Sequence, residues 1–142
     1  MIGHPPPSIS LPDLEGNPWT PDDAEGKYIY LMFCTPEHYG CMMEYPFLQS
    51  YHLKHSRYLE VVTVMVANER VQVKDFMQRN SYGWKALYYE DQPSILTDYL
   101  IRAFPTAYLI GPDGTLVLSP APLPSDGFEQ QLFRIMRSRG EI

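Results

Sequence analysis

Residues 33–46, FCTPEHYGCMMEYP, decide how the rest of the 142-residue chain is read. An apolar and aromatic run from Lys27 to Phe33, preceded by the turn residue Gly26, stops here and has the length and composition of a buried central strand. Both cysteines of the chain, Cys34 and Cys41, fall inside the stretch, seven positions apart. Beyond the turn, Cys41, Tyr45 and Leu48 recur at helical spacing, which predicts a helix over residues 38–56. Pro46 lies within it and is expected to kink it, because proline offers no N–H to the preceding turn.

Working outward, residues 59–68 (LEVVTVMVAN) are rich in β-branched side chains and form the second expected strand. Val73, Phe76 and Met77 give one apolar face to a helix over residues 69–80. Residues 81–93 carry Gly83, Trp84 and Pro93 and show little pattern beyond an extended stretch at 86–89. Residues 94–100 suit a short helix with Ser94 as its cap. Phe104-Pro105 then leads into a strand at 106–110, and Pro112-Asp113-Gly114 turns it into a partner at 115–118. Phe128, Leu132, Ile135 and Met136 make the stripe of a last helix, with Ser125 or Asp126 as its cap and Gly140 at its end.

Upstream, Pro5-Pro6-Pro7 reads as an extended lead-in, so residues 1–7 are expected to be a linker and residues 8–142 a single domain. Ile9, Leu11 and Leu14, interrupted by Pro12-Asp13 and Glu15-Gly16-Asn17-Pro18, suggest a hairpin-like extension. Strands alternating with helices build a βαβ unit, and the late hairpin adds an antiparallel pair. The expected class is therefore α/β, three layers with a central mixed sheet.

Composition narrows the function. The net charge of −6 comes from scattered acids, and Lys and Arg form no basic stripe, which argues against a nucleic-acid partner. No run approaches the roughly 18 apolar residues that span a bilayer, so no membrane insertion is expected. Two cysteines permit one disulfide or one redox pair and exclude a disulfide scaffold. Met1-Ile2-Gly3-His4-Pro5 lacks the basic and apolar regions of a signal peptide.

This element order, with these residues at its joints, resembles the thioredoxin fold, and in particular the thiol-disulfide oxidoreductases of the TlpA and ResA type. In that group the central strand ends in Phe-Trp-Ala-x-Trp and runs into Cys-x-x-Cys-x-x-Glu-x-Pro. Counted without a gap from Phe33, the first family cysteine falls on His38, the second on Cys41, the glutamate on Glu44 and the proline on Pro46. Phe104-Pro105-Thr106 resembles the family's cis-proline followed by threonine. The resemblance implies thiol-disulfide chemistry in the periplasm or cell envelope, no cofactor, and a protein or peptide partner at a groove beside Pro105. Its site residues would be Cys41, Cys34, His38, Glu44 and Pro105.

Family chemistry begins with a thiolate at the first cysteine, activated at a helix start. His38 has no sulfur and cannot form a mixed disulfide, and Met32 stands where thioredoxins often carry a buried acid. Three readings of the corner stay open. Cys41 pairs with Cys34 in an altered redox couple; a bridge requires Cα atoms within roughly 7 Å and would add about 2–3 kcal/mol. Alternatively, Cys34, His38 and Cys41 converge on copper or zinc. In the third reading both cysteines are ordinary buried thiols and the domain survives as a non-enzymatic peptide-binding module. Peroxidase chemistry is disfavoured, since a peroxiredoxin would carry threonine at position 38 and proline at position 34. Glu44 either tunes Cys41 or is solvated at the helix start, and His52 and His55 read as surface residues. The eleven tyrosines suggest some interaction surface but mainly half-buried core and edge positions.

Overall fold

The computed structural model of the chain describes residues 2–90 and 92–142. Met1, at the head of the expected lead-in, and Asp91, within the stretch 81–93, lie outside the described residues. A short antiparallel pair, β1 (Leu11–Pro12) and β2 (Pro18–Trp19), forms the expected hairpin. Its turn closes on Asp13, whose carboxylate accepts the N–H groups of Glu15 and Asn17 at 2.9 and 3.0 Å.

The domain proper starts with β3 (Tyr28–Cys34), followed by α1 (Tyr39–Met42), α2 (Tyr45–His55), β4 (Leu59–Met65) and α3 (Arg70–Arg79). Then come β5 (Lys85–Tyr88), α4 (Pro93–Asp98), β6 (Thr106–Ile110), β7 (Leu116–Ala121) and α5 (Phe128–Ser138). The sheet order is β5-β4-β3-β6-β7, with β3 at its centre. β3 and β5 each run parallel to β4, whereas β3–β6 and β6–β7 are antiparallel, so the sheet is mixed.

Every residue of β3 is buried, as a strand covered on both faces requires. Its side chains alternate between two cores. Tyr28, Tyr30, Met32 and Cys34 pack with Leu48 and Tyr51 of α2, Val73 and Phe76 of α3, and Phe128 and Leu132 of α5. Ile29, Leu31 and Phe33 face the other way, onto Leu11 and Trp19 of the hairpin, Ile95 of α4, and Tyr99. Each such side chain stabilises the fold by about 1.5–3 kcal/mol over its exposed form. The three-layer α/β arrangement implied by the resemblance is present.

Several local expectations are corrected. The single helix expected over residues 38–56 is two helices, interrupted at Met43 and Glu44. Pro46 has no N–H for the Met42 carbonyl, and it sits in the first turn of α2, where that loss costs little. Ser94 does not cap α4, which starts one residue earlier, at Pro93, from Gln92. Neither Ser125 nor Asp126 caps α5; both belong to a 3-10 turn ahead of Gly127, whose φ of 93° redirects the chain into the helix. His55 is largely buried instead of lying on the surface. Its Nε2 is 2.6 Å from Glu129 Oε2 of α5, and its Nδ1 is 2.6 Å from the Tyr58 hydroxyl.

The residues of the lead-in also make contacts. The Gly3 N–H donates to the Leu116 carbonyl and the Leu116 N–H to the His4 carbonyl, both at 2.8 Å, beside the edge strand β7. The Tyr99 hydroxyl donates to the Pro7 carbonyl at 2.6 Å.

Candidate active site

The end of β3 delivers Cys34 into the core, and the single turn of α1 delivers Cys41 beside it; both side chains are 0% exposed. The two thiols are free and near enough for each to shift the ionisation of the other. Burial, followed by its interaction with the Cys41 side chain, pushes the Cys34 thiol well above its ordinary range. The neighbouring Cys34 side chain outweighs burial at Cys41, and with the Thr35 backbone it draws the Cys41 thiol below its ordinary range. The pair is therefore asymmetric, with Cys41 the thiol that ionises first.

Tyr45 completes this inner corner. Its hydroxyl donates to the Thr35 carbonyl at 3.0 Å, and its ionisation is coupled to that of both cysteines. Its ring lies among Phe76, Tyr82 and Trp84, with centroids 5.2, 5.8 and 5.7 Å away. Burial drives the Tyr45 hydroxyl far up, so it stays protonated and available as a donor. Helical spacing from Cys41 placed Tyr45 on the core face. That it would turn its hydroxyl toward the sulfurs carried no sequence signal, because an apolar stripe does not distinguish Tyr from Phe.

His38 stands at the outer corner. It is the exposed N-cap of α1, and its Nδ1 accepts the Gly40 N–H at 3.1 Å. Its ring meets Phe104 edge-on at 6.5 Å. The Phe104–Pro105 peptide bond is cis. A Cβ on Gly40 would lie 3.4 Å from Pro105 Cδ and 3.2 Å from His38 Cε1, so the bare glycine lets α1 approach the proline closely. Tyr39, Met42, Met43 and Phe47 are exposed around this edge, Tyr39 to 76%.

Glu44 is not solvated. It is only 4% exposed and points away from the outer corner toward the turn before α5. One carboxylate oxygen accepts the Ser125 N–H at 2.8 Å and the other the Ser125 hydroxyl at 2.7 Å. The structure thus gathers Cys34 and Cys41 inside, His38 and Pro105 outside, and Glu44 beneath. Cys34, His38 and Cys41 do not form a metal-ligand set. Among the described residues no group of three or more His, Cys, Asp or Glu side chains is placed to hold a metal ion. Among them, too, no helix is long and apolar enough to cross a membrane.

Comparison with known proteins agrees with this architecture. The thiol-disulfide oxidoreductase ResA of Bacillus subtilis is 30% identical over 117 residues, covering 78% of this chain and 62% of the relative, so the chain spans less than two thirds of that protein. The thioredoxin domain of a thiol-disulfide oxidoreductase from Bacteroides vulgatus superposes with a TM-score of 0.80, at 23% identity over 94% of this chain and 97% of that one. A secreted disulfide oxidoreductase of Mycobacterium tuberculosis, homologous to E. coli DsbE, superposes with a TM-score of 0.66, at 21% identity over 77% of this chain and 80% of that one. The AhpC/TSA family pattern matches residues 2–119, from the lead-in through the central sheet and into β7. With strands β3 to β6, the cysteine corner and the proline before β6 all inside that match, the chain belongs to the AhpC/TSA family of thioredoxin-like proteins.

Proposed function

We propose that this domain is a thiol-disulfide oxidoreductase of the ResA type with altered chemistry, in which Cys41 and Cys34 are the redox pair and His38 occupies the position of the family's attacking cysteine. What supports this reading is that both free cysteines are buried in the same core cluster at the end of β3, with Cys41 drawn below its ordinary range by its neighbour. In the forward step, the Cys41 thiolate attacks one sulfur of a partner disulfide and releases the other as a thiolate. Cys34 then loses its proton and attacks the Cys41 sulfur of the mixed disulfide. The Cys34–Cys41 bond forms, the mixed bond breaks, and two electrons have passed to the partner, which leaves as two thiols.

Both sulfurs are fully buried, so each attack requires the four-residue α1 to move outward. Turnover is accordingly slow compared with an exposed two-cysteine corner. The relationship to ResA and to a secreted disulfide oxidoreductase supports a periplasmic or envelope setting, where disulfides persist.

Insulin reduction with dithiothreitol as electron donor tests the reading. Turnover is expected in the parent and lost in both Cys41→Ser and Cys34→Ser. Equal rates in parent and variants would overturn it. A second reading, a non-enzymatic peptide-binding module, is favoured by the exposed apolar side chains Tyr39, Met42, Met43 and Phe47 in α1 and the start of α2, and by the close approach of Gly40 to Pro105. On that reading Cys41→Ser binds partner peptides as well as the parent does, and neither protein reduces insulin.

A further inference from the structure

We propose that Met42 and Met43 form a paired oxidation site, at which hydrogen peroxide converts two exposed thioethers to sulfoxides and turns an apolar edge of the molecule polar. The site stands on exposure and sulfur chemistry and does not depend on the redox reading of Cys34 and Cys41.

The local sequence pattern puts both methionines outside. Cys41, Glu44, Tyr45 and Leu48 are buried at helical spacing, and the positions between them, 42–43 and 46–47, face solvent. Met42 is the last residue of α1 and Met43 its C-cap. The Met42 N–H donates to the His38 carbonyl at 2.8 Å and the Met43 N–H to the Tyr39 carbonyl at 3.2 Å, so hydrogen bonds hold the backbone that presents the two side chains. Met42 is 48% and Met43 56% exposed. By contrast, Met32 and Met65 are fully buried and Met77 and Met136 nearly so, all four in one core cluster.

That contrast decides where peroxide acts. A thioether sulfur attacks one peroxide oxygen; the S–O bond forms, the O–O bond breaks, and after proton transfer the second oxygen leaves as water. Sulfur loses two electrons and the peroxide gains them. At a buried methionine the same step waits for the core to open. The product is a polar sulfoxide in place of a flexible apolar group. Tyr39 and Phe47, the exposed apolar neighbours in the same stretch, are left unchanged, so the edge keeps its aromatic rings and loses its two thioethers. Return to the thioether requires a reductant of the methionine sulfoxide reductase class.

The test is treatment of the native protein with hydrogen peroxide, followed by peptide mapping by mass spectrometry. Met42 and Met43 are expected to gain oxygen at least about tenfold faster than Met32, Met65, Met77 and Met136. In urea all six should react at comparable rates, because burial alone separates them. Treated parent protein should also elute earlier from a phenyl column than untreated protein. The double variant Met42→Leu/Met43→Leu, apolar at both positions and without sulfur, should shift less under the same treatment. Either methionine of the pair reacting no faster than the four buried ones in native protein, a rate difference that persists in urea, or equal elution shifts in parent and double variant would overturn the proposal.

Discussion

Replacing Tyr45 with phenylalanine removes one oxygen from the centre of the corner and leaves the packing of the ring in place. The phenyl group keeps its neighbours Phe76, Tyr82 and Trp84. What is lost is the 3.0 Å bond to the Thr35 carbonyl and the polar hydroxyl coupled to both cysteines. Loss of one buried hydrogen bond costs about 1 kcal/mol. For a domain of this size that is a fall of about 3 °C in melting temperature. The thiol effect has a definite sign. The Tyr45 hydroxyl is among the groups that lower Cys41, so its removal must raise the first thiolate step. The assay combines a thermal melt with thiolate absorbance against pH. A lower melting temperature with the thiolate step unmoved or shifted down would refute the account of the Tyr45 hydroxyl as a group that favours the Cys41 thiolate.

Two further predictions concern the scaffold. Phe128 is fully buried, its ring 4.1 Å from that of Tyr30 and 5.9 Å from that of Tyr51, and Phe128→Ala should cost about 3–5 kcal/mol in a urea titration; a loss below about 1 kcal/mol would show that α5 is not integral to the core. Alkaline pH should destabilise the fold. Burial pushes Tyr28 and Tyr51 up to about 12, whereas unfolded tyrosines ionise near 10. Between about pH 10 and about 12 the unfolded state has released protons that the folded state still holds, so stability is level below that window and falls through it. Urea midpoints equal at pH about 8 and about 11 would contradict this.

The fold was readable because its signals are local and mutually consistent. The apolar run ending at Phe33, the β-branched run after Leu59 and the Pro112-Asp113-Gly114 turn each specify an element without help from distant residues. Helix boundaries were less legible. Pro46 signals a disturbance, but whether it bends one helix or starts another depends on how Cys41 and Tyr45 pack. The site was legible in its cast and not in its wiring. Cys34, His38, Cys41, Glu44 and Pro105 stand out by type and spacing. The partners that set their chemistry come from places that spacing cannot reach, as Ser125 reaches Glu44 from the turn before α5. Ser125 looked like a helix cap because serine before an apolar stripe usually is one. Its tertiary role appears only when the buried carboxylate is seen to need two donors. His55 was misplaced for a similar reason, its partner Glu129 lying on a different helix.

The most direct test of the central claim is equilibration with oxidised glutathione, followed by a free-thiol count and peptide mapping by mass spectrometry. The account predicts that both thiols disappear together into one intramolecular Cys34–Cys41 disulfide, and that Cys41→Ser abolishes it. Two thiols that remain free, or that each accept glutathione without joining, would contradict the assignment of Cys34 and Cys41 as a redox pair.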